Sequence, residues 1–283
     1  MRAHGLLEGP AGAEPADHVC WVYDEADSFG AVARRYLAEG LARGERLMYV
    51  GDRGTDPLRE DAEPRLDVDG LLDRGALEIL DVAAAYRRTG AMSPEAQWAF
   101  YETATRRAVA DGYRGLRLVA EATPLAADPE SRAALLRWEP VADEFIASGS
   151  GLSAMCAYEG GTLDDETLAD LAARHPRAHC PVGNPPFRVW FDGGTVRLGG
   201  EIDAVGAPRL SRVLATVPVR PPAVVVDLSA VEFVDAAGCR AIAEWLCHLP
   251  TAVRPALRGA SRLFARMWYL LGFDRVTGVE AGG

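Results

Sequence analysis

Lysine is missing from this sequence: all 30 basic residues among its 283 are arginine. Chemistry that needs a lysine is therefore excluded, including a Schiff-base lysine, a P-loop lysine and a kinase-type lysine. The abundance of Ala, Gly, Pro and Arg points to GC-rich coding as the cause. Cysteine is scarce and scattered. Cys20, Cys156, Cys180, Cys239 and Cys247 include no CxxC pair, which fits reduced thiols in a cytoplasm. Cys20, Cys156 and Cys239 fall in apolar segments and are expected in the core. No run of about 18 apolar residues occurs, so no membrane span is expected. The basic start and apolar block of a signal peptide are absent as well. Positive charge is also short, with a formal net charge of −11. Arg188 to Gly283 holds 11 Arg against 9 Asp and Glu, whereas the preceding residues hold 19 Arg against 32 acids. Such an acidic chain repels phosphates, so nucleic acid is not an expected partner.

The length suggests two domains of ordinary size. Residues 1–16 are small, Gly/Pro-bearing and unpatterned, and read as a flexible tail. From Asp17 onward, strand and helix signals alternate. Strands are predicted at His18–Tyr23, Leu47–Val50, Leu77–Leu80, Leu116–Ala120 and Leu152–Tyr158. Ser28 is expected to cap the first helix, with Phe29, Val32, Ala33, Tyr36 and Leu37 on its apolar face. Residues Pro57 to Leu72 read as irregular or helical. Ser93-Pro94 opens a helix as N-cap and first helical residue. Another helix spans Pro129 to Ser148. Asp164 caps the last one, with Leu163 and Leu168 as a hydrophobic staple. Repeated β–α units argue for a parallel sheet with helices on its faces. Residues 181–187, rich in proline, read as a linker between a domain at 17–180 and another at 188–283.

In the second domain two short strands, Arg188–Phe191 and Thr195–Leu198, flank Asp192-Gly193-Gly194. A helix from Val205 to about Ala215 follows, then the β-branched strand at Val224–Val226. Asp227, Leu228 and Ser229 are expected to turn the chain. Asp235 is a natural N-cap for a helix whose apolar face carries Cys239, Ile242, Ala243 and Leu246. Val253–Leu257 is a further strand, and Ser261 caps a final helix ended by Gly272. Asp203 reads as a cap.

The stretch Asp227-Leu228-Ser229, Phe233-Val234-Asp235 and Gly238 resembles the STAS domain of anti-sigma factor antagonists. The resemblance implies a ββαβαβα domain over nearly all of Arg188 to Val279. It further implies a partner surface made of Asp227, Ser229, Asp235, Ala236, Ala237 and Gly238. The implied partner is an anti-sigma factor with a serine-kinase fold. The family's phosphoacceptor serine corresponds to Ala236, so the implied switch by phosphorylation is missing. Gly238 is expected to leave room for the docking protein.

The opening block HVCWVYDEADSFGAVARRYLAEGLARGERLMYVGD resembles the MEDS domain. Ala76 to Asp81, Tyr86, Asp111 to Glu121, Ala154 to Tyr158, and the His175-Pro176 and Asn184-Pro185 pairs extend the resemblance over about Asp17 to Phe187. It implies a sensor, with a small organic molecule as the ligand class. The same strand–helix–strand pattern looks like a degenerate RecA/KaiC-type ATPase. Its first loop reads Asp24-Glu25-Ala26-Asp27-Ser28, which would repel a triphosphate.

In open parallel sheets ligands bind beyond the carboxyl ends of the strands. An acid stands at each predicted end: Asp24, Asp52, Asp81, Glu121 and Glu159. Either these cap the following helices or they line a pocket for an uncharged, hydroxylated or cationic ligand. Tyr23, Asp24, Glu121 and Tyr158 are the pocket candidates. His175, His179 and Cys180 lie at a Pro-rich helix exit without a second ligand cluster, so neither a metal nor a cofactor is expected. Ser153 and Ser211 have no His/Asp pattern near them, which leaves a hydrolase triad without support.

The reading is a non-enzymatic cytoplasmic regulator, with an α/β MEDS-like sensory domain joined to an α/β STAS domain. A second copy of the chain is a further candidate partner. One alternative is a small-molecule receptor whose STAS part only dimerises or docks to another signalling protein. The other is a divergent nucleotide-binding enzyme.

Overall fold

Alternating side-chain direction along each N-terminal strand, with apolar residues on both faces, requires a sheet covered on both sides. In a computed structural model of the protein, residues 2–9, 14, 16–59, 64–86, 92–181 and 184–281 are described. The first sheet has seven parallel strands: β1 (Gly5–Leu6), β2 (His18–Tyr23), β3 (Arg46–Val50), β4 (Leu77–Leu80), β5 (Leu116–Glu121), β6 (Leu152–Glu159) and β7 (Arg177–His179). Their order is β1-β7-β2-β6-β5-β3-β4.

The connections run one way along the sheet from β2 to β4 and then reverse from β4 to β7, and right-handed crossovers put the two sets of helices on opposite faces. Helix α1 (Ala26–Ala42) and the short α2 (Asp56–Arg59) and α3 (Val68–Asp73) follow β2 and β3 and cover one face with Phe29, Tyr36, Leu58 and Leu71. The opposite face takes α4 (Val82–Tyr86), α5 (Pro94–Ala110), α6 (Thr123–Ala127), α7 (Pro129–Ala147) and α8 (Asp165–Ala172). Tyr101, Leu135, Trp138 and Leu168 pack there. The predicted caps on these helices form. Ser93 accepts from the Ala96 amide and Asp164 from Thr167, and Asp128, which the sequence reading does not single out, caps α7 by accepting from Ser131.

Two expectations are corrected. Ser28 does not cap α1; Glu25 holds the cap position without a side-chain bond, and the Ser28 hydroxyl donates to the Glu25 carbonyl instead. The helix simply starts earlier, and the side chain of Asp27 lies outside the described residues. Nor is the described part of residues 1–16 a loose tail. Gly5–Leu6 pairs with β7, Leu7 is buried, and Arg2 donates to Asp143 at 2.8 Å. A free strand edge at β7 offers unpaired backbone groups, and this segment satisfies them. Residues 1, 10–13 and 15 lie outside the described residues, as do 60–63 in the segment read as irregular or helical and 182–183 in the expected linker.

The second sheet is mixed, in the order β11-β10-β9-β8. It contains β8 (Phe187–Asp192), β9 (Thr195–Ile202), β10 (Ala223–Val234) and β11 (Arg254–Arg258). The hairpin between β8 and β9 turns on Gly193 and Gly194, both at positive φ, as a tight hairpin requires. Helices α9 (Ala207–Leu214), α10 (Ala236–Cys247), α11 (Arg262–Leu270) and α12 (Phe273–Thr277) complete the element order. Leu198, Val226, Leu210, Ile242 and Trp268 lie in the core between sheet and helices.

Asp227, Leu228 and Ser229 do not turn the chain. They lie within the 12-residue β10, at a shift of register against β9. Asp227 accepts from the Ser229 amide at 2.9 Å, which kinks the strand without ending it.

The two sheets meet through α7, α8, β8 and α9. The Val189 amide donates to the Ala173 carbonyl, Asp170 takes Arg209 and Arg212, and Glu144 takes Arg220. Buried Arg174 donates to the carbonyls of Asp170 and Arg212, tying the end of α8 to α9.

Candidate functional site

The expected partner surface begins where β10 ends. Asp235 is extended and accepts from the amides of Ala237 (2.8 Å) and Gly238 (3.0 Å), satisfying two of the free donors at the start of α10. Ala236 is exposed at the tip and Ala237 half-buried. The Asp235 amide donates to the Ile202 carbonyl, which sets this loop beside the loop entering α9. In that neighbouring loop Asp203 accepts from the amides of Val205 and Gly206, closing the turn before α9. Gly206 holds the cap position of that helix without a side-chain bond, so the expected cap at Asp203 is corrected, and Val205 is 85% exposed. Phe233, two residues before the cap, is 46% exposed. The tip is therefore apolar and without a hydroxyl.

Gly238 and Asp227 belong to the interior. A Cβ on Gly238 would stand 2.7 Å from side-chain carbons of Ile202 and Val234. The glycine lets α10 approach its own sheet, and its expected role of leaving room for a docking protein is corrected. Asp227 is buried and pairs with Arg197 and Arg258, each at 3.3 Å. Burial pushes its carboxyl up, but the Ser229 bonds and then the two arginines outweigh it and hold it low. Ser229 itself is exposed. Five residues of strand separate it from Asp235, roughly 15–20 Å along the chain, so these residues do not form one compact patch.

In the first domain the acids at strand ends divide between two uses. Asp52 accepts from the Val82 amide and Asp81 from the Ala84 amide, so both serve the start of α4. Glu121 does not cap. Its carboxylate receives the Tyr49 hydroxyl and lies 3.5 Å from Arg53. Burial and then Glu159 raise its pKa to about 7. Tyr23, raised to about 12 by burial and then by Glu121, lies on the same face, stacked on Phe29. Gly51 is required beside this group, because a Cβ there would come within 2.9 Å of the Glu121 carboxylate. Asp24 is exposed at the rim, near Gly160.

Tyr158 is not part of that group. It pairs in register with Val22, whereas Tyr23 pairs with Glu159. Partners in register share a face, so Tyr158 points the opposite way and donates to Glu139 at 2.7 Å. Tyr49 and Arg53 are the residues that sequence reasoning missed. Tyr49 shares the face of Val119 in β5, so the period-two pattern of β3 carried the signal for it. Nothing local marked Arg53.

Two family models match this arrangement. The model for the MEDS domain, described as the methanogen/methylotroph, DcmR sensory domain, covers residues 17–176. The chain belongs to the MEDS family. A second model, described as Mlab, STAS domain, covers residues 189–279, so the MEDS domain is followed by a STAS domain. No curated protein matches the chain. Among solved structures, an anti-sigma factor antagonist from Mycobacterium paratuberculosis is 31% identical over 33% of this chain and 83% of its own, with a TM-score of 0.30. Among the described residues no helix is long and apolar enough to cross a membrane.

Proposed function

We propose that this chain is a cytoplasmic signalling regulator of the antagonist type, and that it catalyses no reaction. Its STAS domain docks an anti-sigma factor of serine-kinase fold through the tip at Asp235, Ala236 and Ala237, flanked by Val205. The MEDS domain supplies control in place of phosphorylation, by binding a small organic ligand near Tyr23, Glu121, Tyr49 and Arg53. The observation that carries the reading is Ala236: an exposed residue without a hydroxyl on the first turn of a well-capped helix, in a STAS domain. Interface cores exclude unpaired charge, whereas a helix N-terminus tolerates an anion. Ala236→Glu should therefore keep the fold and weaken the complex at least tenfold. The partner is captured by affinity purification with mass spectrometry, and the variant is titrated against it beside a melting curve. Unchanged affinity of a well-folded Ala236→Glu chain would place the docking surface elsewhere.

A further inference from the structure

Four polar side chains from separate parts of the chain converge on the sheet face that carries Tyr158. His18 opens β2, Glu139 lies in α7, Cys156 in β6, and His175 follows α8; all four are buried. One donor atom of each lies within 4.8 Å of all the others. The Nε2 atoms of His18 and His175 each stand 3.3 Å from Glu139 Oε2. Cys156 Sγ is 3.6 Å from His18 Nε2 and 3.8 Å from Glu139 Oε2.

This spacing is not that of a hydrogen-bonded ion cluster, in which an N–H···O contact between charged groups closes to about 2.7–2.9 Å. The tautomer of His175 is set from outside. Its Nδ1 lies 2.9 Å from the Leu171 carbonyl, which can only accept, so Nδ1 carries the ring proton. In the neutral ring Nε2 then presents a lone pair to the Glu139 carboxylate, and it makes no hydrogen bond. Two acceptors facing each other in a buried place need positive charge between them.

A tetrahedral ion with nitrogen and oxygen ligands at about 2.0–2.1 Å and sulfur at about 2.3 Å has N–O edges of about 3.3–3.4 Å and N–S edges of about 3.6 Å. Four of the six donor separations order themselves that way, with both nitrogen–oxygen edges at 3.3 Å and two sulfur edges at 3.6 and 3.8 Å, and the other two, His18 to His175 and Cys156 to His175, lie within 4.8 Å. The surroundings match as well. Asp143 Oδ1 stands 3.4 Å behind His18 Nδ1, the Leu171 carbonyl stands behind His175, and the Tyr158 hydroxyl donates to the free oxygen of Glu139. Acceptors behind imidazole ligands orient them and raise their basicity.

We propose that His18, Glu139, Cys156 and His175 form a closed four-ligand site for a divalent ion of the zinc class. Two imidazoles, one thiolate and one carboxylate suit that class, whereas calcium and magnesium demand oxygen ligands throughout. With all four positions filled by protein, no place is left for a substrate, so the ion clamps β2, α7, β6 and the end of α8 together. On binding, the Cys156 S–H bond breaks, its proton passes to solvent and the sulfur bonds to the metal. The clamp reaches the STAS domain through Asp143, whose other oxygen accepts from the Phe191 amide of β8 at 2.6 Å. Metal occupancy and the domain junction are thereby linked.

The test uses the untagged full chain, produced in zinc- or cobalt-supplemented cells, with bound metal counted after desalting. One ion per chain is expected. The cobalt form should show the strong visible bands of a tetrahedral site and a near-ultraviolet thiolate charge-transfer band. Cys156→Ser should abolish that band, while Cys20→Ser, opposite it in the neighbouring strand, should keep it. A folded wild-type chain that retains only trace metal overturns the proposal and leaves a proton-sharing cluster. A charge-transfer band that survives in a folded Cys156→Ser chain also overturns it. Should Cys156→Ser fail to fold, Cys20→Ala and Cys180→Ala read singly decide the ligand: the band must survive in both, and its loss in either refutes the assignment.

Discussion

Asp143 accepts the Phe191 amide at 2.6 Å, so a helix of the MEDS domain holds the backbone of the first STAS strand. The Arg2 guanidinium closes the same junction. It donates to Asp143 Oδ1 and to the Phe191 carbonyl, both at 2.8 Å. Asp143 is completely buried. Burial pushes its carboxyl up, but Arg2 and then His18 outweigh that and keep it below the ordinary carboxylate range. The two domains thus share a buried ionised group, and disturbance on one side is felt on the other.

Removing that carboxylate should be costly. Asp143→Ala leaves the Arg2 charge and the Phe191 amide without their acceptor, and breaking such a buried pair costs about 3–5 kcal/mol. Asp143→Asn should cost less, because an amide oxygen can still accept from Phe191. Urea denaturation of both variants checks this. Equal stability of Asp143→Ala and wild type would mean that the junction is held elsewhere.

Glu121 should make the protein less stable as pH rises through the weakly acidic range. Its folded pKa, about 7, lies above the unfolded value of about 4.3. Between those limits the folded state binds more protons, so stability falls with rising pH and levels off above about 7. Glu121→Gln should remove this slope. Melting temperatures of both proteins across the range provide the comparison, and an unchanged slope in the variant would assign the effect to another group.

Two substitutions at the start of α10 separate capping from packing. Asp235→Ala should cost about 0.5–2 kcal/mol through loss of the cap. Gly238→Ala should cost about 1–3 kcal/mol by overpacking, because its Cβ would fall 2.7 Å from carbons of Ile202 and Val234. Guanidinium unfolding measures both. A neutral Gly238→Ala would show that the helix can shift off the sheet without penalty.

Phosphorylation should not occur between Asp227 and Ile242. Ala236 and Ala237 have no hydroxyl, and the Ser229 amide is held by Asp227 in a kinked strand roughly 15–20 Å from the tip. Incubation with a serine-kinase-fold partner and ATP, followed by phosphopeptide mapping, should find this stretch unmodified. Ala236→Ser should become an acceptor. Phosphate on Ser229 in the wild type would sink the expectation.

Capping and strand alternation act over a few residues, and there the sequence served at most positions, though not at Ser28 or Asp203. Ser93, Asp164, Asp235 and Ser261 each accept the predicted backbone amide. The predicted strands from His18 to Tyr158 all form, and so does the ββαβαβα order of the STAS part. Pairing in space lay beyond that reach. A one-residue difference in register sends a side chain to the opposite face, which is why Tyr158 parted from Tyr23 and joined Glu139. The strands Gly5–Leu6 and Arg177–His179 are too short to carry a pattern; β7 forms because it pairs with β2, and β1 forms at the sheet edge because it satisfies the other side of β7. Gly238 looked like room for a partner until the position of Ile202 showed what it touches. His18, Glu139, Cys156 and His175 share no motif spacing. Only the order β7-β2-β6 and the packing of α7 over those strands bring their donor atoms together, because contacts between distant elements are set by crossover direction and sheet order rather than by neighbours along the chain.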